Sequence, residues 1–223
     1  LIYGIPQMTP DEWKENLNKA VKLGVNHISA YCLTVEPDTA LGHKVDKGKE
    51  KSVDEEAAAL HFDYMVDFLA AQGFRQYEVS NFAMPGFESR HNSAYWAGVP
   101  YIALGPSAHG FDGTSRYWNI ANNPRYCSAI EAGKLPTTRE KLSREERFNE
   151  WVMTGLRTAI GIDLKRSEKE FGVEFKRIYS TEIKRLIADG SAKLEGDQLA
   201  LTKKGMFLAD GITSDFFILE HED

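Results

Sequence analysis

An α/β fold with a parallel sheet, either doubly wound or a barrel, followed by a small and mostly helical unit, is predicted by three observations. Apolar strand-like runs alternate with capped amphipathic helices over residues 1–133, the pattern of consecutive βαβ units. A stretch rich in Pro, Thr and Lys follows at 134–142 and reads as a boundary. Residues 143–223 then read as three helices and a two-stranded wing, the outline of a winged helix.

The elements follow in order. Leu1-Ile2-Tyr3-Gly4-Ile5-Pro6 is a buried strand stopped by proline. It begins at residue 1 with no methionine and no turn before it, so its backbone needs a neighbouring strand and the chain is expected to be a C-terminal portion of something longer. Thr9, Pro10 and Glu12 form a capping box with proline at the first helical position, and Trp13, Leu17, Ala20 and Val21 give that helix one apolar face up to Gly24. His27–Leu33 reads as a strand covered on both faces. Residues 36–51 read as an exposed polar loop. Ser52 with Glu55 is expected to cap the next helix, with Leu60, Tyr64, Phe68 and Leu69 facing inward and Gly73 at its end. Tyr77–Phe82 is the third strand and Tyr101–Leu104 the fourth. Arg116–Asn119 returns towards the sheet edge, and Pro124 opens a helix that ends near Gly133. Beyond the boundary, Ser143 and Glu146 repeat the capping box ahead of Trp151, Val152, Leu156 and Ala159. A short helix at 165–171, a longer one through Ile178, Ile183, Leu186 and Ile187, a hairpin over 193–201 and a helix capped by Thr202 complete the chain.

Composition excludes several classes of function. The net charge of −6 is spread without a basic block, which disfavours a nucleic-acid-binding winged helix, since acidic side chains match or exceed basic ones there. No apolar run approaches the roughly 18–20 residues that span a bilayer, and no secretion signal opens the chain, so a cytoplasmic location is expected. Cys32 and Cys127 stand far apart in no metal-ligand spacing and are expected to be packed thiols.

In both candidate architectures function collects at the C-terminal ends of the strands, and the stretch from Gln76 to Gly110 is the densest there. His91 and Asn92 follow a Pro-Gly turn, with Tyr95 and Trp96 three to five residues on. A neutral imidazole there could ligate a metal or a haem iron or act as a base, and the aromatic pair suits a flat ligand. The plainer alternative has His91 bonded to loop backbone while Tyr95 and Trp96 cover the sheet end. His109 follows a turn of small residues that lets backbone approach a ligand. Glu78 needs a partner if it faces inward, and Arg75, Arg90 or a ligand could supply it. A metal site from Glu36, His43 and His91 is conceivable, although no spacing demands it. There is no phosphate-binding glycine loop and no nucleophile elbow.

The strings LIYGIPQMTP, HISAYCLTVEPDTALG, YEVSNFAMPG, HNSAYWAGVPYIALGPSAHG and LTKKGMFLADGI resemble the oxygen-independent coproporphyrinogen III oxidase family of radical S-adenosylmethionine proteins, and the HNxxYW string is most similar to its HemW-type haem chaperone branch. The resemblance implies the C-terminal part of a partial, three-quarter β/α TIM-like barrel over 1–133 and a HemN-type winged-helix-like domain over 143–223. It implies a 4Fe–4S cluster and S-adenosylmethionine in the full-length parent, but the family's Cys-x-x-x-Cys-x-x-Cys loop is absent from this sequence, so no radical chemistry is expected of these residues alone. It further implies that Ile2, Thr34 and His109 wall the S-adenosylmethionine site and that His91, with Asn92, Tyr95 and Trp96 nearby, binds haem through its iron. Its partners would be haem or a porphyrin and haem-accepting apoproteins, without nucleic acid or a transmembrane segment, and a dimeric parent is one arrangement it leaves open. Decarboxylation of coproporphyrinogen III is the alternative activity; Asn92 and Ser93 depart from the oxidase pattern there.

Overall fold

A computed structural model of the chain describes residues 1–219. Strand β1 (Ile2–Tyr3) leads through helix α1 (Pro10–Lys22) and strand β2 (His27–Ser29) to β3 (Tyr31–Cys32), which lies parallel to β1 with Ile2 opposite Tyr31. The capping box on α1 forms as expected, and Trp13, Leu17 and Ala20 point into the core. The strand expected over 27–33 is broken at Ala30, whose N–H turns to the Ser80 carbonyl, and Tyr31 is half exposed, so this strand is not covered on both faces.

The expected loop at 36–51 contains helix α2 (Ala40–Asp46), because Thr39 caps it by accepting from the Gly42 N–H at 3.0 Å. Helix α3 (Glu55–Ala71) starts from Asp54 and not Ser52; its carboxylate accepts from the Ala57 N–H at 3.1 Å. Its buried stripe is Ala58, His61, Phe62, Met65 and Leu69, while Leu60, expected inside, faces solvent. Both stripes satisfy helical spacing, and contact with α1 selects between them: the Trp13 indole N–H donates to the His61 carbonyl at 2.9 Å.

The predicted strand 77–82 is a hairpin. Strand β4 (Arg75–Glu78) turns at Val79-Ser80 into β5 (Asn81–Ala83), which pairs antiparallel with both β4 and β2. Consecutive parallel pairing therefore holds for β1 and β3, whereas β5 separates β2 from β4. Helix α4 (Arg90–Trp96) follows. The strand expected at 101–104 is reduced to one bridge between Tyr101 and Phe111, leaving Ile102 and Leu104 exposed. Strands β6 (His109–Phe111) and β7 (Ser115–Asn119), helix α5 (Asn123–Glu131) and strand β8 (Thr137–Lys141) come next. The stretch read as a linker thus supplies β8, an exposed strand that completes the antiparallel sheet β6-β7-β8.

Ser143 caps helix α6 (Arg144–Leu156) with the expected box. Strand β9 (Ile162–Asp163) and helix α7 (Leu164–Phe171) follow. The long helix expected next is split into α8 (Phe175–Ile178) and α9 (Ser180–Ala188), with Ile178 and Ile187 partly exposed. The hairpin β10 (Ala192–Glu195) and β11 (Gln198–Leu201) forms as read, with β9 added to its edge. Thr202 caps α10 (Lys203–Phe207), which passes directly into α11 (Ala209–Ser214). Where three helices and a two-stranded wing are expected, the described residues hold six helices, α6 to α11, beside the three-stranded sheet β10-β11-β9.

One continuous core runs from Tyr3, Trp13 and Phe62 to Phe148, Phe175 and Phe216. Its two ends join where Phe62 meets Phe207 at 5.4 Å and where Lys203 pairs with Asp63 at 3.0 Å and Asp67 at 2.9 Å. Cys32 packs against this core, but Cys127 on α5 is exposed and is not a packed thiol. Among the described residues no helix is long and apolar enough to cross a membrane.

His61 is 2% exposed, and neither ring nitrogen has a hydrogen-bond partner among the described residues. Burial holds its pKa below the ordinary histidine value, so the folded state disfavours the imidazolium. The stability tied to the neutral ring is present above about pH 6.5 and lost as pH falls through the depressed folded value. His61→Leu is therefore expected to flatten the fall in melting temperature between pH 7.5 and 5, leaving the share due to His27, also shifted down by burial. An acid limb of unchanged slope in thermal melts would refute this role.

Candidate functional site

The carboxyl end of β4 is held by the end of α6. The Val79 N–H donates to the Arg157 carbonyl and the Ala159 N–H to the Tyr77 carbonyl, both at 3.0 Å. Under these bonds lies a buried polar cluster. The Asn81 amide donates to the Glu78 carboxylate, and the Ser29 hydroxyl donates to the Asn81 carbonyl oxygen. Glu78 is fully buried, and burial raises its pKa against the opposing pull of Asn81, the Ser80 backbone and Arg157. Arg157, and not the expected Arg75 or Arg90, is the cation that lowers it, without an ion pair to Glu78 among the described residues. The same guanidinium pairs with Asp210 and lies 5.7 Å from the centre of the Trp96 ring.

Above this junction opens a cleft of about 1150 Å³ between α4, the β6-β7 strands, α6 and α7. Its aromatic walls come from several elements: Tyr95 meets Trp96 edge-on at 5.2 Å, Tyr101 lies 5.8 Å from Tyr95, and Trp151 packs 5.6 Å from Phe171. Three arginines also line it. Arg116 is paired with Glu150 and Arg166 with Glu170, while Arg147 donates weakly to the Ser143 carbonyl at 3.4 Å and forms no ion pair among the described residues. Gly161 closes one edge at φ +76°; a Cβ there would stand 2.0 Å from the Leu199 carbonyl oxygen, so the loop after α6 reaches β11 only with glycine.

The residues singled out from the sequence divide into three places. Tyr95, Trp96 and His109 line the cleft, His109 stacking on Trp118 at 6.1 Å. His91 and Asn92 lie on α4 and not in a loop, because Ser89 caps that helix at the Asn92 N–H. His91 is exposed, makes no hydrogen bond among the described residues, and stands one turn before Tyr95 on the same helix face, between the cleft-lining Glu88 and Ser93. The alternative in which its ring bonds loop backbone is thereby removed. Ile2 and Thr34 sit at the ends of the paired strands β1 and β3, both open to solvent, and His109 belongs to a different sheet. Glu36, His43 and His91 do not gather, and no group of three His, Cys, Asp or Glu suited to a metal forms among the described residues. The two cysteines lie on β3 and α5, so these residues supply no ligand set for an iron–sulfur cluster.

Arg147, Trp151, Thr154 and Arg166 were missed in the sequence. The first three fall at i, i+4 and i+7 on α6, a second stripe beside the buried Phe148, Val152 and Leu156, and a tryptophan within a polar stripe was the available signal.

Glu78→Gln tests the buried cluster. A folded pKa above the ordinary value gives a contribution that is full below about pH 4.3 and lost as pH rises through the folded value. The melting temperature of the unsubstituted protein minus that of Glu78→Gln is expected to fall between pH 4 and 7; a difference that grows with pH would mean that Arg157 stabilises the carboxylate.

Residues 142–208 match the family described as HemN C-terminal domain. Over 95% of its length the chain is 35% identical to a Mycobacterium tuberculosis protein named heme chaperone HemW, covering 53% of that protein. It is 30% identical over 98% of its length to the Lactococcus lactis protein of the same name, covering 57% of it. Among solved structures, Escherichia coli HemN, titled a coproporphyrinogen III oxidase and radical SAM enzyme, superposes with a TM-score of 0.73 at 20% identity, covering 97% of this chain and 54% of that one. The chain spans about half the length of the curated relatives it matches.

Proposed function

The chain belongs to the HemN/HemW family of radical S-adenosylmethionine proteins, and from that premise we propose that its protein is a haem chaperone, which holds haem and passes it to an apoprotein. The observation that carries this reading is the 35% identity, across nearly the whole chain, to a protein named as a heme chaperone. Likeness to the oxidase rests on fold alone at 20% identity, so it adds no weight to the alternative of porphyrinogen decarboxylation.

The local chemistry supports the reading. His91 has a free imidazole on an exposed helix face, and a neutral ring nitrogen is a good axial ligand for haem iron. Tyr95, one turn on, and Trp96 offer aromatic surface for the macrocycle. Exposure suits a carrier, since cargo that must be surrendered is better held by a few contacts at a surface than enclosed. The two units, 1–133 as the barrel portion and 143–223 as the HemN-type domain, would then contribute opposite walls; the last four residues of the second lie outside those described. S-adenosylmethionine, walled by Ile2, Thr34 and His109, and a 4Fe–4S cluster belong to the same reading of the whole protein in the cytoplasm, and haem holding as described needs neither.

Haemin titration followed at the Soret band tests this. The protein is expected to bind haemin with a ligand-dependent Soret shift, and His91→Ala is expected to lose that shift and weaken binding by about tenfold or more, the loss of one iron ligand. An unchanged spectrum and affinity in His91→Ala would remove His91 as the ligand; no binding by the unsubstituted protein would remove the haem reading itself.

A further inference from the structure

The cleft between α4 and α6 has more room than a small metabolite needs, its volume of about 1150 Å³ lying above the roughly 300–1,000 Å³ of ordinary ligand pockets. Its chemistry is selective in two respects. Aromatic surface comes from both sides, Trp96 and Tyr95 on α4 and Trp151 on α6, which suits a flat, extended apolar face. Its charges balance in number, three arginines against Glu88, Glu150 and Glu170, but only two pairs form among the described residues: Glu150 with Arg116 and Glu170 with Arg166, leaving Glu88 on the α4 side and one arginine on the α6 side unpaired. Arg147 is left over. It lies one turn before Trp151 on the same face of α6, so a flat ligand against the indole would bring its edge to that guanidinium. A guanidinium beside an aromatic wall matches a planar ligand with a carboxylate on its rim, because its fork of donors bonds a carboxylate in two places.

We propose that this cleft receives the tetrapyrrole ring edge-in between α4 and α6, with Arg147 holding a propionate carboxylate. The proposal rests on the haem reading and adds to it the residues that orient the cargo, a role that no comparison assigns. His91 is not itself a lining residue but stands on α4 one turn before the cleft-lining Tyr95, so in this arrangement it approaches the iron from the α4 side while the propionate fixes the ring from the α6 side. Specificity follows: the site discriminates between a haem with free carboxylates and one without.

Two ligands and two substitutions test it. Haemin and haemin dimethyl ester, whose propionates carry no charge, are titrated into the purified protein, into Arg147→Glu and into Ser93→Trp, with circular dichroism melts to show that each variant is folded. Arg147→Glu is expected to weaken haemin by about tenfold to a hundredfold, the range of a lost charged hydrogen bond, and to leave the ester within about twofold. Ser93→Trp places bulk on the exposed cleft wall and is expected to weaken both ligands alike. If both variants bind haemin as tightly as the unsubstituted protein does, the cleft is not the site and the haem reading survives. If the unsubstituted protein binds no haemin, that reading falls and this proposal with it. Should Arg147→Glu fail to fold, Ser93→Trp decides alone: unaltered affinity for haemin and ester overturns the proposal.

Discussion

The two sides of the candidate site are joined beneath it by two backbone hydrogen bonds, from Val79 to the Arg157 carbonyl and from Ala159 to the Tyr77 carbonyl. They add the segment just after α6 to the open edge of β4, with Thr158 opposite Glu78 in an antiparallel bridge, so the mainly helical unit is attached to the sheet as if by another strand. A sheet edge left open is a liability, and covering it satisfies groups that would otherwise face solvent or a second chain. The side chains beneath reinforce the join. Glu78 is buried with Asn81, whose amide donates to its carboxyl group, and burial holds its pKa above the ordinary value. Arg157 then reaches outward to Asp210 and across to the Trp96 ring, linking four separate segments.

The cleft is a consequence of that join. Two units fastened along one edge diverge from it, and the walls of the opening are whatever each unit presents: α4 and the β6-β7 strands on one side, α6 and α7 on the other. This explains why the aromatic wall and the unpaired arginine come from sequence segments about 50 residues apart. The core beneath is continuous, with Phe62 against Phe207 and Lys203 between Asp63 and Asp67, so the far side of the join is held as well.

Local signals were legible in the sequence and long-range choices were not. Two of the three capping boxes, at Thr9 and Ser143, are legible to the residue, because a cap is a contact between groups three residues apart, while the third, read at Ser52, gives way to Asp54 two residues on. The stripe on α3 is legible in part: Leu69 is buried and Tyr64 and Phe68 pack partly buried on the core, but Leu60 faces solvent and the centre of the stripe is Phe62 and Met65, a choice set by a partner 48 residues away, Trp13 bonding to His61. The hairpin at Val79-Ser80 was hidden for a different reason. It lacks the Asn-Gly or Asp-Gly that marks a two-residue turn, and is favoured by tertiary partners, Arg157 for Val79 and Ala30 for Ser80.

The same distinction bears on the site. His91, Tyr95 and Trp96 form a local cluster on one helix, so their order in the chain was enough to draw attention to them. Arg147 carries no such mark: it looks like one more solvated charge on a helix with several. Its distinction is relational, since Arg116 and Arg166 on the same cleft are ion-paired and Arg147 forms no ion pair among the described residues. Neutralised pairs shape a surface, whereas a cation left over beside an aromatic wall gives it a preference for one kind of ligand. That preference exists only after α6 has been fastened to β4, because the fastening sets which face of α6 looks into the cleft. A substitution at the join could therefore alter ligand selection without touching any residue that lines the cleft.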